Sequence, residues 1–193
     1  KENYIADVKS DLEILIDIQE KWKKLFKDSF FDPKIDEFKK IIKNQILKEK
    51  KRKIIVFSEF SDTAEYLFNN MKNEFRCFLY TSKQSTNKKT KDSIKNNFDA
   101  SQNLKSQENQ FDILIATDAI SEGFNLHRAG TIFNYDIPYN PTRVVQRFGR
   151  INRINKKVFD ELYIYNYFPT QIGERETGIS RITGLKKLMF NSI

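Results

Sequence analysis

The run FDILIAT (residues 111–117) is apolar without alternation and ends on a threonine, with an aspartate next. A strand with one face in water alternates apolar and polar residues, whereas one covered on both faces reads as a continuous apolar run. Working outward, similar β-rich runs stand at IIVFS (54–58), FRCFLY (75–80), TIFNYD (131–136) and ELYIYNYF (161–168). Helix-like stretches lie between them at about 62–73, 87–99 and 141–153. Strands alternating with helices, each strand apolar throughout, predict an α/β fold: a parallel β-sheet sandwiched by helices. In such a sheet, ligands sit beyond the carboxyl ends of the strands, so the polar residues just past each strand are the candidates. The segment DASQNLKSQENQ (99–110) has almost no apolar content and is expected to be an exposed loop.

Before the first strand, Ile5, Val8, Leu12, Leu15, Ile18, Trp22 and Leu25 recur at three- and four-residue steps, the stripe of a long helix. Asp32-Pro33 reads as an N-cap followed by proline at the first helical position. The helix it opens should run to about Lys48 and bury Ile35, Phe38, Ile41 and Ile42. KEKKRK (48–53) reads as a solvated linker. A last amphipathic helix is expected over about 174–190. The organisation is therefore a helical lead-in over 1–50, a sheet domain over 51–170 and a C-terminal helix over 171–193. The chain opens on Lys1 and not on Met, so it is expected to be a piece of something longer.

The 193 residues include a single cysteine, Cys77, which excludes an internal disulfide framework and a cysteine-based zinc site and implies a buried, inert thiol. A reducing, cytoplasmic compartment follows as the expectation. There is neither a signal-peptide pattern nor an apolar run of membrane-spanning length. The formal net charge of +8 suits a polyanionic partner. It also fits a compositional bias, since Lys, Asn, Ile and Phe are all abundant.

Arginine is more informative than bulk charge. Four of the nine in the chain, Arg143, Arg147, Arg150 and Arg153, fall within eleven residues. The first three stand at i, i+4 and i+7 and share one helical face. Guanidinium groups this close need an anion or carboxylates between them, and arginine offers phosphate a flat fork whose charge does not titrate. Gly149 in the same stretch costs a helix interior about 1 kcal/mol relative to alanine, which suggests that something approaches there. From the residues alone, a solvated basic helix is the other reading. A second cluster, ATDAISEGFNL (116–126), places Thr117 and Asp118 at a strand's carboxyl edge and Gly123 where backbone can approach a ligand.

QRFGRINR (146–153) resembles motif VI of superfamily-two helicases, whose core reads Gln-x-x-Gly-Arg-x-x-Arg. ATDAISEGFNL looks like motif V, and KIIVFSEF (53–60) looks like motif IV. NYDIPYNPTRVVQR (134–147) is similar to the stretch joining motifs V and VI in Swi/Snf-like and RapA-like translocases. The motifs occur in the family's order, over about Lys53 to Phe168, and the leading helices resemble the segment that joins two motor domains. The resemblance implies a RecA-like second motor domain. It carries Arg150 and Arg153 over as the arginines that reach the γ-phosphate of ATP, and Gln146, Gly123 and Asn125 as residues of the nucleotide cleft. Thr117, Ser58 and Thr81 match positions on the nucleic-acid backbone, and Asp118 matches one that couples the two sites. His127, after motif V, is expected at the surface or as a cap.

No GxxxxGK[ST] phosphate loop and no Walker B Asp-Glu pair after a strand occurs in the sequence. ATP and Mg²⁺ would therefore be held mainly by a first motor domain of the same protein, and this chain alone is expected not to hydrolyse ATP. Gln146 at the head of motif VI favours a duplex-DNA translocase over an RNA helicase. The alternative is a catalytically silent docking or nucleic-acid-binding module. A small-molecule enzyme on a Rossmann-like sheet lacks its GxGxxG fingerprint.

Overall fold

The computed structural model describes residues 2–27, 32–49, 51–84, 86–121, 123–152, 158–178 and 181. It divides into two compact units, 1–41 and 42–193. In the first, helix α1 (Glu2–Lys27) exposes its side chains from Tyr4 to Lys24, the apolar stripe from Ile5 to Trp22 included. Asp32 caps the following helix as expected: its Oδ1 accepts hydrogen bonds from the Lys34 and Ile35 backbone amides at 2.9 and 3.2 Å. That helix, α2 (Pro33–Lys48), crosses into the second unit and buries Ile35, Phe38 and Ile42, with Ile41 half-buried.

The second unit is built on a parallel sheet of five strands: β1 (Lys53–Phe57), β2 (Cys77–Tyr80), β3 (Ile113–Ala116), β4 (Ala129–Asn134) and β5 (Tyr163–Asn166). Their spatial order is β2-β3-β1-β4-β5, with every neighbouring pair parallel. Helices α3 (Ser61–Met71), α4 (Lys88–Phe98) and α5 (Pro141–Ile151) fall where the sequence places them. The two-residue period of a strand divides the apolar runs between two faces. Ile55, Phe57, Leu114, Ala116 and Ile132 form one core with Ile94 and Phe98 of α4 and Ile151 of α5. Ile54, Val56, Ile113, Ile115 and Phe133 point the other way and are equally buried, as are Ala64, Leu67 and Met71 of α3. Burial on both faces is why these strands do not alternate. β5, at the sheet's edge, does alternate, half-buried with exposed, and Phe133 stacks on its Tyr165 at 4.5 Å. Cys77 is buried, and desolvation, followed by the Asp112 charge, pushes its thiol up to about 12.

Two expectations change. KEKKRK is no simple solvated linker, because Arg52 is 8% and Lys53 5% exposed, and Lys53 opens β1. The Arg52 guanidinium donates to the Gly130 and Glu161 carbonyls at 3.1 and 2.5 Å and to Glu49 at 2.7 Å, and lies against the rings of Phe159 and Tyr163. The side chain supplies both packing and a fully engaged charge, which is what makes a buried arginine tolerable. His127 is not at the surface but buried, its Nδ1 3.7 Å from the Asp99 carboxylate. The loop 99–110 is largely exposed, as expected, and is anchored from beneath: buried Asn97 accepts from the Gln110 and Phe111 amides and donates to Glu108. The C-terminal helix is described as α6 (Gln171–Thr177), opened by Thr170 and ended by Gly178 in the left-handed conformation. The rest of its expected span lies outside the described residues apart from Gly178 and Arg181. No described helix is long and apolar enough to cross a membrane.

Candidate functional site

Strands β2, β3 and β1 end in register, Tyr80 beside Ala116 beside Phe57. The next residue of each, Thr81, Thr117 and Ser58, therefore forms a row across the carboxyl edge of the sheet. The ladder continues one step beyond the strands, with Thr117 N–H on the Tyr80 carbonyl at 3.2 Å, Ser58 N–H on Ala116 at 3.0 Å and Tyr135 N–H on Phe57 at 2.9 Å. All three of these polar residues are buried. The Ser58 hydroxyl donates to Asp136 at 2.5 Å, and Asp136 also accepts the Glu59 amide at 2.6 Å.

A one-turn helix over Asp118–Ser121 follows β3 and aims Asp118 at α5. Helix α5 is set by its own start, where the Asn140 carboxamide oxygen accepts the Thr142 amide at 3.1 Å and Pro141 takes the first turn. Arg147 then meets Asp118 with two parallel bonds, Nε to Oδ1 at 2.7 Å and Nη2 to Oδ2 at 3.0 Å. Its Nη1 donates to Asn134 at 2.7 Å, and its charge lies 4.8 Å from the centre of the Phe57 ring. Arg143 donates to the same Asp118 at 3.2 Å and to Glu59 at 3.0 Å. Two guanidinium groups and two carboxylates thus balance, tying the ends of β1, β3 and β4 to one helix. Arg147 can be fully buried because its charge is met by a bidentate partner.

Arg150 differs from both. It is half-buried on α5 and makes no side-chain hydrogen bond or ion pair among the described residues. Its carbonyl accepts the Leu126 amide at 3.0 Å, which draws the loop carrying Gly123 and Asn125 alongside the end of α5. Gly123 is exposed with φ +86°, a conformation that disfavours any side chain. Asn125 is half-buried and Gln146 exposed. A Cβ on Gly149 would meet nothing within 4 Å, so the surface there is open. Arg153 lies outside the described residues. The fold therefore brings Asp118 to Arg147, and Gly123 and Asn125 towards Arg150, while placing Ser58, Thr81 and Thr117 in one buried row. Glu59, Asn134 and Asp136, which complete the polar network, were not singled out from sequence. Glu59 and Asp136 each stand two residues past a strand end, so widening the inspected window by one position would have found them.

The model of the helicase conserved C-terminal domain matches residues 33–155. The chain belongs to that family. Helicase C-terminal domain relatives include an uncharacterized ATP-dependent helicase, YqhH of Bacillus subtilis (strain 168), 46% identical over 54 residues, 28% of this chain and 9% of that protein. The ATP-dependent RNA helicase RhlB of Shewanella woodyi is 28% identical over 145 residues, 75% of this chain and 31% of that protein. This helicase C-terminal domain chain thus spans under a third of either relative. In fold it resembles the crystal structure of the C-terminal part of the Fun30 ATPase domain. The TM-score is 0.62 at 20% identity, covering 90% of this chain and 54% of that one.

Proposed function

We propose that this chain is the second motor domain of an ATP-dependent nucleic-acid helicase or translocase and closes one wall of an ATP site formed with a first motor domain. The observation that carries the reading is the division of labour along α5. Arg143 and Arg147 are taken up by Asp118 and Glu59, whereas Arg150, one turn on, has no carboxylate partner among the described residues. A guanidinium held on a rigid helix without a local counter-charge is suited to an incoming phosphate. Gln146, Gly123 and Asn125 border the same end of the domain, and Arg153 follows in the motif. ATP with Mg²⁺ supplies the phosphoryl group to be transferred. The task of Arg150 and Arg153 is to stabilise charge on the γ-phosphate as it leaves, while Asp118 links their helix to the row of Thr117, Thr81 and Ser58 on the nucleic-acid side.

The glutamine that opens motif VI and the SEGFNL run of motif V support duplex DNA as the track. The RhlB relative is named for RNA, and this supports the second reading. Steady-state ATPase of the full-length protein, with saturating duplex DNA in one arm and RNA in the other, tests both. Stimulation by neither polymer would leave the docking-module reading ahead.

A further inference from the structure

The amino-terminal edge of the sheet, opposite the candidate site, carries a recess of about 360 Å³. Its charged lining comes from positions at or just before four neighbouring strands: Arg76 before β2, Asp112 before β3, Lys51 and Lys53 at β1, and Arg128 before β4. Strands of four to six residues at about 3.3 Å per residue put this edge roughly 13–20 Å from Thr81, Thr117 and Ser58. It is a separate place, which the helicase motifs reach only through Lys53, the first residue of KIIVFSEF.

Among the described residues, four cations converge there on one carboxylate. Asp112 is already taken by Arg76, through bonds of 2.8 and 2.6 Å. Arg128 is held in position by the Asn96 and Glu108 carbonyls at 3.0 and 2.8 Å and by the Asn109 side chain, all neutral groups. Lys53, 5% exposed, directs one of its three N–H donors to the Phe111 carbonyl at 2.5 Å and lies 5.1 Å from the centre of the Phe98 ring. Lys51 is exposed at the rim. Neutral carbonyls orient Lys53 and Arg128 without cancelling their charge, so among the described residues these two and Lys51 have no ion-pair partner around the cavity. A buried ammonium and a buried-edge guanidinium facing the same space repel, and burial followed by Arg128 pulls the Lys53 ammonium down to about 8. An oxyanion in the recess would reverse that repulsion.

We infer that this recess binds a multivalent phosphate-bearing anion, through Lys53, Arg128 and Lys51. Three surplus cations suit a polyphosphate or a backbone phosphate better than a single carboxylate. The forked donors of Arg128 and the point charge of Lys53 suit its oxygens.

The test is calorimetric titration of the 193-residue chain with pyrophosphate at fixed ionic strength, beside binding of a labelled oligonucleotide. Saturable pyrophosphate binding is expected, weakened at least tenfold in Lys53→Met and Arg128→Gln, severalfold in Lys51→Glu, and retained in Arg150→Ala. Lys51 is exposed, so Lys51→Glu reads out the recess even if a buried variant fails to fold. If pyrophosphate fails to bind but the oligonucleotide loses affinity in Lys51→Glu and Lys53→Met, the phosphate is that of a nucleic-acid backbone, and the assignment stands. Pyrophosphate binding that survives Lys51→Glu and Lys53→Met but disappears in Arg150→Ala would overturn it. So would an absence of any effect of these variants on either ligand.

Discussion

Arg147 and Asp118 form a bidentate ion pair, at 2.7 and 3.0 Å, in which the arginine is wholly buried and the aspartate is shared with Arg143. The pair joins the segment after β3 to the helix that carries Arg150, so it fixes where Arg150 stands. Removing Arg147 strips a bidentate partner from Asp118, which is half-buried and keeps only Arg143, and leaves Asn134 without its donor, a loss of about 1–3 kcal/mol. Arg147→Ala should therefore lower the urea midpoint of this chain sharply, and Arg147→Lys should recover little, because a point charge cannot span both carboxylate oxygens. A midpoint within error of wild type for Arg147→Ala would contradict a structural role.

Arg150→Ala should behave in the opposite way. With no side-chain partner among the described residues, the arginine contributes little to the fold, and a change of no more than about 0.5 kcal/mol is expected. In the full-length protein the same substitution should reduce nucleic-acid-stimulated ATPase about 10³-fold or more. ATP affinity should change much less, since the contact forms mainly as the γ-phosphate departs. Melting curves, nucleotide binding and turnover on one preparation separate the two effects. Normal turnover would remove Arg150 from the chemistry.

Gly130→Ala should destabilise the domain by about 1–3 kcal/mol through overpacking. A Cβ there would lie 2.5 Å from Arg52 Nη1, 2.7 Å from its Cγ and 2.8 Å from a ring carbon of Phe159. The arginine cannot swing aside without abandoning the Gly130 and Glu161 carbonyls. The companion substitution Arg52→Ala should remove the two contacts with Arg52, leaving that with Phe159, and so make the double variant less destabilised than the sum of the single ones. Simple additivity would show that the two side chains do not compete for that space.

Lys53 makes a pH prediction whose sign is fixed by burial. Desolvation, with Arg128 next, lowers its pKa to about 8 in the fold, from 10.5 ordinarily. Between those values the unfolded chain binds more protons than the folded one, so stability rises with pH across that window. It falls back as pH drops through 8, where the buried ammonium must be charged. Measured in phosphate-free buffer, the stability of wild type relative to Lys53→Met should rise from pH 7.5 to pH 10. A difference that stays flat would mean that Lys53 titrates as an exposed lysine.

The sequence by itself determined the sheet, the order of its elements and the place of the candidate site. Each of those signals is local: the ILIA of FDILIAT is apolar throughout because both faces of its strand are covered, and a polar residue closes it where the chain leaves the sheet. Asn140-Pro141 and Asp32-Pro33 announce their helices in the same way, since capping acts within one turn. Which charges meet was decided only by the tertiary structure. Arg143, Arg147 and Arg150 read as one equivalent face along the chain, yet Asp118 is 29 residues from Arg147 and Glu59 is 84 from Arg143, so only folding distinguishes two arginines paired with carboxylates from one without such a partner among the described residues. Arg52 and Lys53 sit in a basic run that resembles a solvated linker, while the carbonyls and rings that bury Arg52 arrive from 78 and more residues away. Burial of a charge depends on partners supplied by distant segments, and a pattern of residues along the chain carries no record of them.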